Sequence, residues 1–252
     1  MKMKKIIKII LGFNITSIIK LITNGPERFL AACSNSFRGG WDTETRALSK
    51  IPKKNIREIL GDREPSITYS ISKEEGGSLP LYQASALLAI LVAEEPKEVL
   101  EIGTFLGSTT KMMAENLENS IIHTVDLPED FSNIQGMPKD DFHLIKSRIV
   151  GKEFKGLPYS SRIKQYFGDT ATLDFKTLGH PTFFFIDGSH TYEYCKNDSE
   201  KCFEIAPKGS VFLWHDCDNG HPGVVQFISE WRKLGRNIVR IDGTPIGYWK
   251  KG

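Results

Sequence analysis

From residue 98 onward, short apolar runs alternate with stretches whose apolar positions recur at helical spacing. The runs are EVLEI at 98–102, IIHTV at 121–125, RIKQYF at 162–167, TFFFI at 182–186 and VFLWH at 211–215. A strand covered on both faces loses the polar alternation of a half-exposed one, so most of these runs predict parallel strands between helical layers. Helical patterns fall between them at 107–117, 171–178 and 191–206, the last closed by Pro207, Lys208 and Gly209, and another follows at 222–234. The segment LYQASALLAILVA at 81–93 is nearly all apolar and predicts a buried helix that stops at Glu94, Glu95 and Pro96. Two last strands, NIVRID and IGYWKK, close the chain around Gly243-Thr244-Pro245. The alternation predicts a doubly wound α/β sheet of seven mostly parallel strands, occupying residues 79–252.

The preceding part follows another pattern. Residues 1–24 are basic and apolar and predict an amphipathic helix, but Lys8 and Lys20 leave only eleven uninterrupted residues between them. Spanning a bilayer needs roughly 20. Three readings of this helix stand: packing on the protein or on a neighbouring subunit of a homo-oligomer, peripheral contact with an anionic membrane, or an uncleaved anchor or signal segment. Residues 25–78 are polar, Gly-containing and charged, and predict an irregular, partly helical cap. Residues 127–160 join the second and third strands through Pro128, Gly136, Pro138, Gly151, Gly156 and Pro158. A connection of that length at the carboxyl edge of a sheet is expected to cover substrate.

Composition narrows the classes. A formal charge of +2 carries none of the Lys/Arg excess of a nucleic-acid surface. The four cysteines, Cys33, Cys195, Cys202 and Cys217, lack paired metal-ligand spacing, and three fall in expected regular structure, which points to a reducing, cytoplasmic setting.

The chemistry concentrates at strand ends. EIGTFLGST at 101–109 is a strand end, a glycine turn and a helix start, the place where an open α/β sheet brings its backbone to a nucleoside. Asp126 follows Gly107 by nineteen residues, where a carboxylate is expected to take both donors of a ribose diol. The pattern is not the G-x-G-x-x-G of dinucleotide sites, and Glu101 would repel a pyrophosphate. It suits a ligand carrying an ammonium group, and S-adenosylmethionine is one.

In order, EIGTFLGST, HTVDLPED, FGDTAT, FFFIDGSHTYEY and VFLWHDCD resemble the class I S-adenosylmethionine-dependent methyltransferases, in particular their small-molecule O-methyltransferase branch. The resemblance covers about residues 80–252 and implies a Rossmann-like methyltransferase fold. It implies that Glu101, Gly103 and Ser108 surround the amino-acid end of the cofactor, Asp126 the ribose, and Gly168 with Asp169 the adenine edge, with Thr104, Gly107 and Asp187 also binding it. Asp169 also fits a helix N-cap. Asp187 leaves the fourth strand beside these groups, and His190, three residues on, falls where metal-using relatives of this type place a catalytic base. The implied reaction is methylation of a hydroxyl on a small molecule or sugar-containing metabolite, with proton removal by His190.

A hard divalent cation such as Mg2+ is a second way to lower the acceptor's pKa, with Asp187 and Asp216 as ligands. Cys217 stands where such relatives use a further oxygen ligand, and Asp218 is the available substitute. Asp187, His190, His215, Asp216 and His221 together also resemble a transition-metal cluster, which opens a metal-dependent hydrolase as the alternative. His123 lacks a second ligand at useful spacing and is expected to be a satisfied core residue.

Overall fold

The computed structural model describes residues 47–71, 78–131 and 148–252. The chain divides into residues 1–46 and 47–252, so the predicted amphipathic helix at 1–24 lies outside the described residues, as do 25–46 and 72–77 of the cap and 132–147 of the long connection.

In chain order the second unit contains β1 (Lys53–Lys54), α1 (Ile56–Leu60), α2 (Leu81–Glu94), β2 (Glu98–Ile102), α3 (Ser108–Asn116), β3 (Ile121–Asp126), β4 (Ile163–Phe167), β5 (Phe183–Ile186), α4 (Tyr192–Ile205), β6 (Val211–Trp214), α5 (Pro222–Lys233), β7 (Val239–Ile241) and β8 (Gly247–Lys250). The strands form one sheet in the order β1-β7-β8-β6-β5-β2-β3-β4. All neighbours are parallel except β8, which runs antiparallel to β6 and β7. The Rossmann-like expectation holds, with eight strands where seven are predicted. The extra strand is β1, two lysines that pair with Arg240 and Ile241. Backbone pairing recruits them without any apolar signal. A second correction concerns 171–178, where the structure has only a 3-10 turn at Phe175–Thr177, started by the Asp174 side chain accepting from Lys176 N. Thr170, Thr172 and Thr177 are poor interior helix residues, and this segment prefers turns.

Burial on both faces of the sheet explains the apolar runs. Phe183, Phe184 and Phe185 of β5 are completely buried and alternate between the two layers. On one side α2 contributes Leu87, Leu88, Ile90 and Leu91, all fully buried; cutting one such Leu to Ala costs roughly 2–5 kcal/mol. The other layer is aromatic: Trp214 meets Phe212, Phe227 and Trp231, and its Nε1 donates to Ser199 Oγ at 2.8 Å. His123 is the satisfied core residue expected, with Nε2 2.9 Å from Glu98 Oε2 and Nδ1 3.1 Å from Tyr166 Oη. Cys195, Cys202 and Cys217 are buried free thiols. Among the described residues no helix is long and apolar enough to cross a membrane.

The strand order makes β2 the turning point: the chain proceeds outward to β3 and β4, then returns to β5 on the other side of β2. At such a switch the connections diverge and leave a crevice at the carboxyl ends of the strands.

Candidate active site

A cavity of about 320 Å3 fills that crevice. Its walls are Gly103, Thr104 and Phe105 after β2, Asp126 and Leu127 at the end of β3, Gly168 to Thr170 after β4, Asp187 to His190 after β5, and His215 with Asp216 after β6. Of the residues assigned to the site, Gly103, Thr104, Asp126, Gly168, Asp169, Asp187, His190, His215 and Asp216 share this one cavity. Glu101, Gly107, Ser108 and His221 are absent from its lining.

On the β2–β3 side the wall is largely backbone. Gly103 has φ 97°, and a Cβ there would stand 2.1 Å from the carbonyl oxygen of Asp187, so only glycine lets the two strand ends approach. Gly107 caps α3 in the left-handed region, while Ser108 is buried as the first residue of that helix. Glu101 is fully buried behind this wall, its Oε2 accepting from Thr110 Oγ1 at 2.5 Å and Thr124 Oγ1 at 2.6 Å. Burial pushes its carboxyl up to about 8, with the two hydroxyls opposing. It is therefore largely a neutral acid at pH 7, and the described geometry puts it beneath the cavity wall instead of at the cavity surface.

Asp126 does line the cavity, already held by three protein donors. Oδ2 accepts from Phe105 N at 2.6 Å, and Oδ1 from Leu127 N at 2.7 Å and from Arg148 Nη2. A carboxylate offers about four lone-pair sites, so Oδ2 retains room for one further donor. Asp169 caps no helix: Oδ1 accepts from Ala171 N at 2.8 Å within a turn, and both oxygens accept from Tyr194 Oη, at 3.1 and 3.2 Å, while the residue lines the cavity.

The β5–β6 side is built from titratable side chains. His215 Nε2 donates to Gln83 Oε1 at 2.8 Å, leaving Nδ1 3.0 Å from Asp187 Oδ1 and 3.1 Å from Asp216 Oδ2. Burial alone would lower this imidazole, but the two carboxylates outweigh it and push it up to about 10. Asp216 adopts φ 57°, a left-handed conformation that Asp tolerates better than most residues. Its Oδ2 also receives His190 Nε2 at 2.7 Å, and its Oδ1 lies 3.4 Å from His221 Nδ1. Burial would raise the Asp216 carboxyl; hydrogen bonds from His190 and His215 hold it well below the usual range instead. His190 therefore stands as an imidazole oriented by a buried carboxylate, the arrangement that keeps a general base in one tautomer.

Four contributors escaped the sequence reading. Gln83 sits on the buried face of α2, and an amide inside a nearly all-apolar helix was the available signal. Tyr194 lay within the quoted motif DGSHTYEY without an assigned role. Arg148 emerges from the patternless connection and is 6% exposed. Gly223 abuts the loop after β5: a Cβ there would come within 2.5 Å of the His190 carbonyl oxygen.

Residues 100–217 match the family model described as a methyltransferase domain. Over these residues the chain is similar to a methyltransferase domain, and the sheet order and the cavity at its switch point are those of the class I, S-adenosylmethionine-dependent type, with the likeness running to its O-methyltransferase branch. None of the curated protein sequences matches it significantly. Solved structures with the same fold include a protein provisionally assigned as a caffeoyl-CoA O-methyltransferase from Staphylococcus aureus, at 13% identity and a TM-score of 0.52, covering 69% of this chain and 85% of that one. A provisionally assigned O-methyltransferase from Klebsiella pneumoniae has 16% identity and a TM-score of 0.50, over 83% of this chain and 90% of its own. An SAH-bound methyltransferase from Podospora anserina has 15% identity and a TM-score of 0.50, over 81% and 87%. At these identities the likeness establishes the fold. The hydrolase alternative yields to the family match, although its five side chains do gather around Asp216.

Proposed function

We propose that the enzyme methylates a hydroxyl of a small molecule or sugar-containing metabolite, with His190 as the general base. The observation that carries this reading is the single cavity shared by Gly103, Asp126 and Asp169 on one side and Asp187, His190 and Asp216 on the other. S-adenosylmethionine supplies an electrophilic methyl group, and the residues present suit it: a glycine-walled approach, a carboxylate for a ribose hydroxyl and a polar Asp169–Tyr194 edge for the base. His190 accepts the hydroxyl proton while its Nε2 is held 2.7 Å from Asp216 Oδ2. Because Asp216 remains ionised, the imidazolium formed is stabilised where it arises.

Asp187 and Asp216 are also proposed as ligands of Mg2+ or another divalent cation. The donor set fits: Asp187, His215 and Asp216 can offer ligand atoms that all lie within 4.8 Å of one another. Such an ion would lower the pKa of a bound hydroxyl. Gln83 Oε1 holds Nε2–H of His215 and aims Nδ1 between the carboxylates, where a bound ion would replace the Nδ1 proton. An imidazole nitrogen beside two carboxylates suits manganese, cobalt or zinc better than magnesium. Elemental analysis of the purified chain, and melting temperature with and without EDTA, test this: stoichiometric metal and a lower melting point in EDTA are expected, and neither would appear if the carboxylates only orient the imidazoles.

His190→Ala tests the base. Methyl transfer to a hydroxyl acceptor is expected to fall roughly 10²–10⁴-fold, with S-adenosylhomocysteine affinity by calorimetry nearly unchanged. Full turnover in the variant would remove His190 from the chemistry. Absence of S-adenosylhomocysteine binding to the unaltered chain would end the cofactor assignment.

A further inference from the structure

A second recess of about 310 Å3 opens beside the cofactor cavity. It is lined by Lys53 of β1, Tyr82 and Gln83 of α2, Asp218, Arg240 of β7 and Thr244. Two of these residues join it to the chemistry. Gln83 lines both spaces and bonds His215, while Asp218 Oδ1 lies 2.9 Å from Nδ1 of His221, whose ring stands 4.5 Å from that of His190. A molecule anchored in the recess therefore lies outside the nucleoside space and two side chains, Asp218 and His221, from the proposed base, so its reacting hydroxyl reaches His190 by extending past them.

The electrostatics of its wall are unusual. Lys53 and Arg240 are register partners on adjacent strands, which sets two cationic side chains beside each other on one face. Like charges so placed repel unless an anion lies between them. Lys53 has one, Asp242 at 3.1 Å. Asp218 is engaged by His221 and by Gly220 N. Arg240 is different: its Nε is buried with no acceptor, and among the described residues its guanidinium forms no ion pair or side-chain hydrogen bond. A guanidinium presents a planar fork of donors that matches carboxylate and phosphate oxygens, and a fold seldom leaves one beside a binding recess with nothing to bind. Tyr82 adds a half-exposed ring on which an aromatic or sugar ring can lie.

We infer that this recess is the acceptor subsite and that Arg240 receives an anionic group, carboxylate or phosphate, carried by the hydroxylated substrate. The inference rests on the methyltransferase reading of the neighbouring cavity and adds the substrate's charge to it. Arg240 then acts as a specificity determinant: it touches the acceptor away from the reacting oxygen and anchors the hydroxyl toward His190.

The test uses the full chain saturated with S-adenosylhomocysteine and titrated separately with inorganic phosphate and with acetate, followed by calorimetry or ligand-observed NMR. Binding of at least one anion is expected, weakened about tenfold or more in Arg240→Met and unchanged in Lys208→Met, a surface control. Phosphate alone, acetate alone or both then identifies the group the subsite takes. A second readout needs no variant: the bound anion should protect Arg240 from phenylglyoxal, read by peptide mass. Binding of neither anion, equal binding in Arg240→Met, or modification of Arg240 unaffected by both anions would overturn the inference. Failure to bind S-adenosylhomocysteine would instead count against the cofactor cavity, so the two failures are distinguishable.

Discussion

Gly103 and Asp216 each stand just beyond a strand's carboxyl end with a positive φ, yet they shape the cleft by opposite means. Gly103 contributes by what it lacks, since the missing Cβ admits the Asp187 carbonyl into contact and leaves a wall of backbone. Asp216 contributes a carboxylate that gathers His190, His215 and His221 around itself. The β2–β3 half is consequently a shape, set by packing, to which Asp126 adds a carboxylate. The β5–β6 half is a charge distribution, three imidazoles against two carboxylates, and its state follows pH. Separating shape from charge lets the same sheet edge keep a constant cofactor seat while the chemistry beside it varies.

The contact between the halves gives the largest expected effect. Gly103→Ala places a methyl group 2.1 Å from the Asp187 carbonyl, backbone that cannot rotate away, at a φ that L side chains rarely adopt. Both halves should fail together: destabilisation of about 2–4 kcal/mol in urea melts, and loss of S-adenosylhomocysteine binding. A variant with wild-type stability and affinity would show that the approach is not tight in solution. His190→Ala comes next, because it should spare the shape and remove only the charge-driven step.

Much of this division was legible in the chain. Asp126, Asp169, Asp187, His190 and Asp216 follow apolar runs directly, and in an open α/β sheet that position alone places a side chain at the ligand-binding rim. What was hidden depended on direction or distance. Glu101 belongs to a strand buried on both faces, so no alternation tells whether its carboxyl reaches the cavity or lies behind it. Gln83 meets His215 across 132 residues, a pairing that only the folded sheet creates. β1 is two lysines with no apolar signature, and Arg148 sits in a connection whose composition carries no period.

Protonation sharpens the comparison, because Glu101 behind one half and His215 in the other are both displaced upward, over windows that overlap only between pH 6.5 and 8. Burial raises Glu101 from 4.5 to about 8, so between those values the unfolded chain releases a proton that the folded chain keeps, and stability falls as pH rises. For His215 burial opposes the shift, but Asp187 and Asp216 raise it from 6.5 to about 10. Its stabilisation is complete below pH 6.5 and is lost as pH rises toward 10. In EDTA-treated protein, Glu101→Gln should flatten the melting-temperature profile between pH 4.5 and 8, and His215→Asn between 6.5 and 10. Flattening by Glu101→Gln above pH 8, or by His215→Asn below pH 6.5, would mean that the two groups titrate as one coupled set, beyond the raising that the Asp187 charge already exerts on Glu101.

The smallest effect concerns Asp126, where the shape-built half uses one charge. With Oδ1 taken by Leu127 N and Arg148, and Oδ2 by Phe105 N, the carboxylate has room for one ribose hydroxyl, whereas the sequence alone suggests both. The 2′-deoxy and 3′-deoxy forms of S-adenosylhomocysteine should therefore bind unequally. One should lose about 0.5–1.5 kcal/mol, the net value of a hydrogen bond, and the other little. In Arg148→Met a second lone pair becomes available, so the two analogues should converge to similar losses while overall affinity changes only a few-fold. Equal losses already in the unaltered chain would mean that Arg148 leaves Asp126 when the cofactor enters, and that this half of the cleft also rearranges around its ligand.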